Sequence, residues 1–305
     1  MNNIDFSKLP TPTLIEELDF EQIFNNRKEQ FINLYPPEEQ EVWRTTLNRE
    51  SEPVTKILQE NAYLELLYRN KLNRDARAML LAYSTGAELD HIAVTYYGIQ
   101  RLIITPADSS VIPPVAEVME SDESLKERCL LSLDAMNTAG SVNGYKFFAK
   151  TADGRVADVA VISDEANPYL LDVIITQHDS ETGAASVELV NIVQAALDPE
   201  NVRPVCDRPT VKSSTAINYS INAQLFIAKN SDGALIIDLA SQRLDTYIEK
   251  QKQIGQSIHL SALYAALHVE GVSRVVITAP ANDIPITQYQ HSHCISKNVT
   301  IGGTE

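Results

Sequence analysis

Residues 53–83, PVTKILQENAYLELLYRNKLNRDARAMLLAY, form the stretch of the chain that most clearly predicts a fold. Apolar side chains recur in this stretch at intervals of three and four residues, which is the spacing of one face of an α-helix. Pro53 suits the first turn of a helix, where a missing N–H costs nothing. The pattern predicts one helix from Pro53 to about Tyr83, with Gly86 as its C-cap, and its length is roughly 45 Å at 1.5 Å per residue.

A helix of this length extends beyond a small domain, so its own chain can cover only part of its apolar side. Tyr63, Leu67, Tyr68 and Met79 either complete an internal core or contact another chain, and the sequence favours an intermolecular role for at least part of this set. Four cations share the helix and form either a solvated face or a docking site for an acidic neighbour: Arg69, Lys71, Arg74 and Arg77.

Shorter helices flank the long one. A helix is predicted to begin after Asp19 and to end at Tyr35, where two prolines follow, and a second helix spans 38–47. A third is predicted over 87–96, ended by Gly98. The first third of the chain is therefore predicted to be helical throughout.

The remainder changes to a mixed pattern. A proline-rich connector, 105–114, precedes a helix whose first turn is predicted to hold Glu120, Asp122 and Glu123 and whose apolar face is predicted to hold Leu125, Cys129 and Leu133. Further helices are predicted over 143–150 and 186–197, and strands over 156–162, 170–176 and 219–228. The predicted fold class is α+β, an N-terminal helical region followed by mixed α/β domains with short helices packed on small mixed sheets.

These patterns predict four regions: a helical bundle-forming region (1–104), a connector and helix (105–139), a central α+β domain (140–230) and a C-terminal α+β domain (231–305). A weak internal similarity links 260–277 with 145–161, each a short helix, a glycine turn and a strand. Two copies of one packing unit and a recurring supersecondary arrangement explain it equally well.

Composition excludes some classes of partner. The 41 acidic and 25 basic residues give a net charge of −16, which disfavours nucleic acid as the main partner. No apolar run is long enough for a membrane span, and the N-terminus resembles no export signal. Cys129, Cys206 and Cys294 are odd in number and widely spaced, so they are expected to be free, buried thiols of a reducing cytosol.

The sequence contains no G-x-S-x-G, H-E-x-x-H or G-x-G-x-x-G motif, which favours a protein that is not an enzyme and needs no cofactor. The segment 140–146 lacks the lysine of a phosphate-binding loop, and its simpler interpretation is a loop in which Ser141 or Asn143 caps the next helix. On a strand, His291 and His293 would share one face while Cys294 faces the other. The two histidines could supply at most two ligands to a metal ion, and the alternative is a polar strand edge with one buried cysteine.

A set of short motifs resembles one known family when order and spacing are taken together. In chain order they are 86-GAELDHIA-93, 97-YGIQR-101, Glu123-x-x-x-Glu127-Arg128, Gly140-Ser141 with Tyr145 and Ala149, Val156-x-Asp158-Val159, and 201-NVRP-204. The pattern extends from about residue 50 to the C-terminus. It resembles the baseplate J-like proteins of contractile-tailed phages and, within that family, those of P2-like phages.

The resemblance implies a structural wedge component of the tail baseplate, found in the virion and assembled in the host bacterial cytoplasm. In that family two copies join a third wedge protein through a helical bundle, and C-terminal domains link neighbouring wedges into a sixfold ring around the central hub. By this resemblance, residues 53–97 would enter the bundle. The chain from Gly140 onward would make the ring contacts. The residues expected at partner interfaces are Leu64, Leu67, Tyr68, Leu72, Leu89 and Arg101.

Three classes of function therefore remain under consideration. The first is a structural assembly protein whose partners are other wedge proteins, a second copy of the chain and the hub. The second is an adaptor that forms no ring. The third is a metal-dependent enzyme that uses His291 and His293.

Overall fold

The computed structural model describes residues 9–10, 12–13, 15–136, 139–200, 202–229 and 232–304. The chain divides into two compact units, Met1–Gly98 and Ile99–Glu305. The described residues form helices and small mixed sheets, which confirms the predicted α+β class.

The first unit is helical. Its elements are α1 (Phe20–Ile32), α2 (Pro37–Leu47), α3 (Pro53–Ala78), α4 (Gly86–Ile92) and a π-helical turn, Ala93–Tyr97. The Asp19 carboxylate caps α1 by accepting the N–H of Gln22. Gly98 ends the π-helical turn in the left-handed conformation, as predicted.

The core of this unit joins the first three helices. Its buried side chains are Ile23, Phe24, Ile32, Leu47, Leu58 and Ala62. The ring of Trp43 lies 5.3 Å from that of Phe31 and 4.8 Å from that of Tyr35, measured between centroids. Because Trp43 is the single tryptophan of the chain, its fluorescence reports on this unit alone.

The end of α3 differs from the prediction. The helix stops at Ala78 after 26 residues, about 39 Å, rather than near Tyr83. Beyond it the backbone turns tightly, since Tyr83 and Ser84 both donate their N–H groups to the carbonyl of Leu80. Gly86 is the first residue of α4 and not the C-cap of α3. The apolar spacing continues past the helix because Leu80 and Leu81, in the turn that follows it, are still partly buried.

The second unit holds the remaining elements. They are β1 (Ile103–Thr105), β2 (Val118–Met119), α5 (Asp122–Ala135), α6 (Val142–Ala152), β3 (Val156–Ser163), β4 (Leu170–Gln177), α7 (Val187–Leu197), β5 (Arg208–Ser213), β6 (Thr215–Ile227), α8 (Gly233–Gln251), α9 (Leu260–Leu267), β7 (Val272–Ala279) and β8 (Gln290–Thr304). An antiparallel pair, β1 with β2, flanks the connector, and the sequence did not predict it.

Two predictions for α5 are wrong. Glu120 lies before the N-cap residue, Ser121, and is buried rather than part of the first turn. Leu133 is 55% exposed, although Leu125 and Cys129 are buried as expected. Each fourth residue of a helix advances by about 40° around the axis, so two such steps carry Leu133 off the buried face.

The central sheet has the order β3-β4-β5, with β3 antiparallel and β5 parallel to β4. Helices α6 and α7 pack on one face, where Val173 and Ile175 are fully buried. On the opposite face Ile174 is also buried, and the Asp158 carboxylate accepts the N–H of Ile254 at 2.8 Å, from the loop between α8 and α9. The second face is covered only in part, because Thr210 and Lys212 of β5, which pair with Asp172 and Ile174, are exposed on it.

The C-terminal sheet has the order β7-β6-β8, with β7 antiparallel and β8 parallel to β6, and α8 and α9 pack on one face. The sequence placed the strand predicted over 219–228 before the boundary at 230, whereas its pairing puts it in this sheet. The four-region division as a whole stays a prediction, and we propose a boundary at the junction of β5 and β6, near Ser214.

The internal similarity corresponds to α6 with β3 and α9 with β7. In both sheets the second member of the pair is an edge strand antiparallel to the middle strand. The connections differ, because the middle strand follows β3 in the central sheet but precedes β7 in the C-terminal one. This difference favours a recurring supersecondary arrangement over two copies of one unit.

Gly140 has a positive φ of 71°, and a Cβ added there would lie 2.6 Å from Cγ of Pro204. We expect Gly140→Ala to lower the free energy of unfolding by about 2–3 kcal/mol, from left-handed strain plus overlap. Gly255→Ala is the matched control, because Gly255 also has a positive φ but its added Cβ would find its nearest atom 3.9 Å away. Urea unfolding followed by circular dichroism measures both; equal losses would contradict a role for the close approach.

Candidate partner-binding surface

Helix α3 carries two separate apolar faces. Its inner face holds Thr55, Leu58 and Ala62, which are buried against the unit's own helices. We call the second set the outer face; its members are Ile57, Leu64, Tyr68 and Leu72. At about 100° of rotation per residue, the intervals of seven, four and four residues place these four side chains on one side of the helix.

The outer face is uncovered. Exposure is 57% for Ile57, 54% for Leu64, 64% for Tyr68 and 49% for Leu72. Leu67, at 47%, lies beside them. Scattered exposed leucines need no explanation, but an aligned row of four large apolar side chains is a candidate contact surface. Such rows are what a neighbouring helix packs against.

The other two residues expected at an interface have internal surroundings. Leu89 is fully buried, so its side chain is not available to a partner. The Arg101 side chain is 12% exposed; its guanidinium donates to the Glu120 carbonyl at 2.6 Å and to Asp122 Oδ1 at 2.7 Å. The structure therefore groups Leu64, Leu67, Tyr68 and Leu72 on one helix and leaves Leu89 and Arg101 out of that surface.

A partly buried ion pair fixes α3 against α1. Glu65 accepts from Nε of Arg27 at 2.6 Å and from a guanidinium nitrogen of Arg69 at 2.7 Å. Arg69 also contacts Glu16, at 3.1 Å, so this cation is not part of a free basic face. The hydrogen bond from Arg27, together with the charges of both arginines, holds the pKa of Glu65 below its ordinary value.

We expect Glu65→Gln to lower the free energy of unfolding of the first unit by about 1 kcal/mol at pH 7. Because the pKa of Glu65 is lowered on folding, its stabilisation is present above the unfolded pKa and disappears as the pH falls through the folded value. The difference from wild type should therefore shrink below about pH 4. Urea titrations followed by Trp43 fluorescence measure it, and Glu60→Gln on the exposed side of α3 is the control. A difference that persists unchanged at pH 3 would contradict the ion-pair explanation.

Several of the motif residues lie in a buried polar network of the second unit. Arg128 and Glu120, 2% and 4% exposed, form an ion pair of 2.5 Å. Glu120 also accepts from the N–H of Leu102 at 3.2 Å and from Oγ of Ser124 at 2.8 Å. Arg128 further donates to the carbonyl of Gln100 at 3.2 Å. The network therefore joins 100–102 to α5.

Other motif residues extend this framework. Glu127 accepts from the buried Lys150 of α6 at 2.5 Å, and the Tyr145 hydroxyl donates to Asp207 at 2.7 Å. Burial is the main cause that raises the pKa of Tyr145, and the bond to Asp207 adds to it. All of these polar groups are used in holding helices and loops together, which is a structural role.

Comparisons with known proteins agree with this reading. Three family descriptions match in succession: the baseplate J-like N-terminal domain at 50–108, the central domain at 137–213 and the C-terminal domain at 219–301. A protein named baseplate protein J, from Escherichia phage P2, is 44% identical over 302 residues, 99% of each chain. The chain belongs to the baseplate J-like family. It is a structural protein of a phage tail baseplate, as the sequence resemblance predicts.

A solved structure is more distantly similar to this baseplate J-like protein. It is the baseplate of the anti-feeding prophage determined by electron cryo-microscopy, 6-fold symmetrised, with 14% sequence identity and a TM-score of 0.41. The match covers 67% of the present chain and 50% of that chain. At this level the similarity carries no conclusion about fold or function.

The histidine cluster of the baseplate J-like protein has a structural role at His291. This side chain is buried; its Nδ1 lies 2.8 Å from Oγ of Ser214 and its Nε2 lies 2.7 Å from the carbonyl oxygen of Thr182. The carbonyl accepts, which assigns the proton to Nε2 and leaves Nδ1 to accept from Ser214. Among the described residues, no group of three or more His, Cys, Asp and Glu side chains is placed to hold a metal ion.

The three cysteines of the baseplate J-like protein are free. Cys129 is buried, and burial raises the pKa of its thiol to about 11. Cys294 is partly buried and Cys206 is exposed, so the prediction of three buried thiols is wrong for Cys206. Its sequence position, in a loop before β5, is the signal that could have indicated exposure.

In the part of the chain that the structure describes, no helix meets the length and apolarity needed to cross a membrane.

Proposed function

We propose that this baseplate J-like protein is a wedge component of a contractile phage tail. In this proposal the outer face of α3 binds partner wedge proteins, including a second copy of the chain, through a helical bundle. The C-terminal domains link neighbouring wedges into a sixfold ring around the hub. The protein would assemble in the host bacterial cytoplasm and remain in the virion.

The outer face of α3 is the observation that carries the proposal. A helix that already buries Leu58 and Ala62 in its own unit does not need a second apolar row for folding. Covering Ile57, Leu64, Tyr68 and Leu72 would remove most of their apolar surface from water, at about 25 cal/mol per Å². An amphipathic helix of a partner protein would supply the complementary apolar stripe.

The buried ion pairs of the second unit support a rigid structural role. Buried pairs such as Arg128 with Glu120 are costly to open, which suits a part that has to keep its shape under load. Contacts between wedges would be smaller and more polar, and could rearrange when the baseplate changes state on attachment.

Electron microscopy of the chain co-expressed with neighbouring baseplate proteins tests the proposal. We expect particles in which α3 packs in a bundle with helices of other chains and in which wedges close with sixfold symmetry. If complexes form with α3 in the bundle but no ring closes, the adaptor alternative is correct. A chain that stays alone with all of these proteins present would overturn the proposal.

A further inference from the structure

The segment from β1 to β2 is a hairpin that stands apart from the packed parts of the second unit. We call it the arm, residues 103–119. None of its side chains, all of which lie in the described part of the chain, belongs to a hydrophobic core. Beyond the pairing of β1 with β2, Asp108 and Val115 exchange two backbone hydrogen bonds, of 3.0 and 2.9 Å. The arm is therefore a paired structure rather than an unstructured linker.

The base of the arm is fixed to the buried ionic network. The N–H of Glu120 donates to the carbonyl of Leu102 at 2.8 Å, and the N–H of Leu102 donates to the Glu120 carboxylate at 3.2 Å. A Cβ added to Gly154 would lie 2.5 Å from the carbonyl oxygen of Ile103, so the loop before β3 packs closely against the first strand of the arm. The fold of the second unit thus sets the direction in which the arm points.

The tip of the arm is apolar and exposed. Its sequence is Val111-Ile112-Pro113-Pro114, and the Ile112 side chain is 99% exposed. The turn that leads into the tip is held by Asp108, whose carboxylate accepts from the Ser110 hydroxyl at 2.5 Å and from the Ser110 N–H at 2.8 Å. These two hydrogen bonds hold the pKa of Asp108 below its ordinary value. The tip is therefore presented on an ordered support.

Single exposed apolar side chains are common on protein surfaces and need no partner. Val187, for example, is 78% exposed but lies between the polar residues Ser186 and Glu188. The tip differs because four consecutive apolar residues share one turn on a paired stem. A segment that is already ordered loses little conformational entropy on binding, so such a tip is suited to contact with another protein.

The two prolines restrict how the tip could be bound. Neither Pro113 nor Pro114 has an N–H group, so neither can donate to a neighbouring strand, which disfavours addition of the tip to a partner's sheet. Their rings and the side chains of Val111 and Ile112 offer a compact apolar surface instead. Proline-rich segments of this kind fit pockets that are lined with aromatic side chains.

The charge of the arm indicates what surrounds such a pocket. No lysine or arginine occurs between Arg101 and Lys126, whereas the arm carries Asp108 and Glu117. A second copy of the chain would bring the same two acids and a net charge of −16, so two arms would repel each other. A pocket with lysine or arginine at its rim would attract the arm.

We propose that the tip of the arm inserts into an apolar pocket, rimmed by lysine or arginine, on a baseplate protein other than this chain. Insertion would bury Val111 and Ile112 at the centre of the contact, and Glu117, on the returning side of the arm, would face the cationic rim. The inference rests on the proposed wedge role for the choice of partner proteins. It adds a contact that is separate from the helical bundle and from the ring.

Photo-crosslinking from the tip tests the contact in the full-length chain. The photoreactive residue p-benzoylphenylalanine replaces Ile112, and the chain is co-expressed with the other baseplate proteins of the same tail. Because Ile112 is almost fully exposed, circular dichroism should show an unchanged fold. Irradiation should link position 112 to one other baseplate protein, and mass spectrometry of the joined peptides should find an apolar site with lysine or arginine nearby. The same photoreactive residue at Val187 is the control and should not link to that site.

The partner identified in this way is purified, and biolayer interferometry gives its dissociation constant for each full-length variant. Ile112→Asp should bind at least about tenfold more weakly, because it places a carboxylate in an apolar pocket. Ala107→Asp adds the same charge at an exposed position on the stem, and should bind no more weakly than wild type. Glu117→Lys should bind about threefold to tenfold more weakly, and its affinity should depend less on salt.

Three results would overturn the inference. Position 112 could link to no other protein or only to a second copy, the linked site could lack a cation, or Ile112→Asp could bind like Ala107→Asp. The wedge proposal is judged separately. If the bundle and the ring form but position 112 links to nothing, only the inference about the arm fails. If position 112 links to its partner in particles that have neither bundle nor ring, the wedge proposal fails and the arm contact stands.

Discussion

Replacing Leu64 and Tyr68 with aspartate should abolish co-purification of the chain with its partner baseplate proteins. Both side chains are more than half exposed on the outer face of α3, so the chain alone should tolerate the change. In a packed bundle each carboxylate would be taken out of water without a partner, at a cost of several kcal/mol, which corresponds to a loss of affinity of at least a thousandfold.

A control variant makes the same change in net charge and leaves the outer face of α3 intact. Asn70→Asp with Arg49→Gln also lowers the net charge by two, at exposed positions of the same unit outside the outer face. This variant should retain the partner proteins. Trp43 fluorescence should show the same unfolding midpoint for both variants. Retention of partners by the outer-face variant would refute the bundle contact, and loss by both would point to a nonspecific charge effect.

Arg128→Met should lower the free energy of unfolding of the second unit by about 3–5 kcal/mol, the largest single effect on stability that we expect. The substitution leaves the Glu120 carboxylate buried, 4% exposed, with its cation removed. Adding Glu120→Gln should recover part of the loss, because a neutral amide still contacts Ser124 and needs no counter-ion. Urea unfolding followed by circular dichroism measures both.

Lys252→Met is the comparison for an exposed pair. Lys252 contacts Glu249 at 2.6 Å, but both side chains are at least half exposed, so the loss should be below about 1 kcal/mol. If Arg128→Met and Lys252→Met had similar effects, or if Glu120→Gln made the Arg128 variant worse, burial of the ion pair would not be what stabilises the second unit.

Local signals in the sequence predicted most of the secondary structure. Asp19 marked the start of α1 because capping acts over a few residues, whereas the predicted end at Tyr35 lies three residues beyond the observed end, Ile32. The β-branched runs located β3 and β4 to within one residue, since alternation or continuous burial needs no knowledge of the partner strand. Family membership followed from the order of short motifs rather than from any single one.

Features that depend on distant contacts could not be predicted in the same way. The burial of Glu120 depends on Arg128 and on the strand segment near Leu102, which only the fold brings together. The pairing of β1 with β2 spans a connector without periodicity. Within the interface prediction, Leu64 and Leu89 have similar surroundings in sequence, yet one is exposed and the other fully buried.

The two apolar faces of α3 separate two requirements. The inner face is needed for folding, and the outer face would be needed for binding partner proteins. Substitutions on the outer face should leave the stability of the monomer unchanged. They would keep the partner bound only if the matching helix of the partner changed with them. Exchanging Ile57, Leu64, Tyr68 and Leu72 for the corresponding residues of a relative should therefore transfer the choice of partner between tails. Chimeric tails with a redirected assembly partner could be built by grafting four side chains instead of a whole domain.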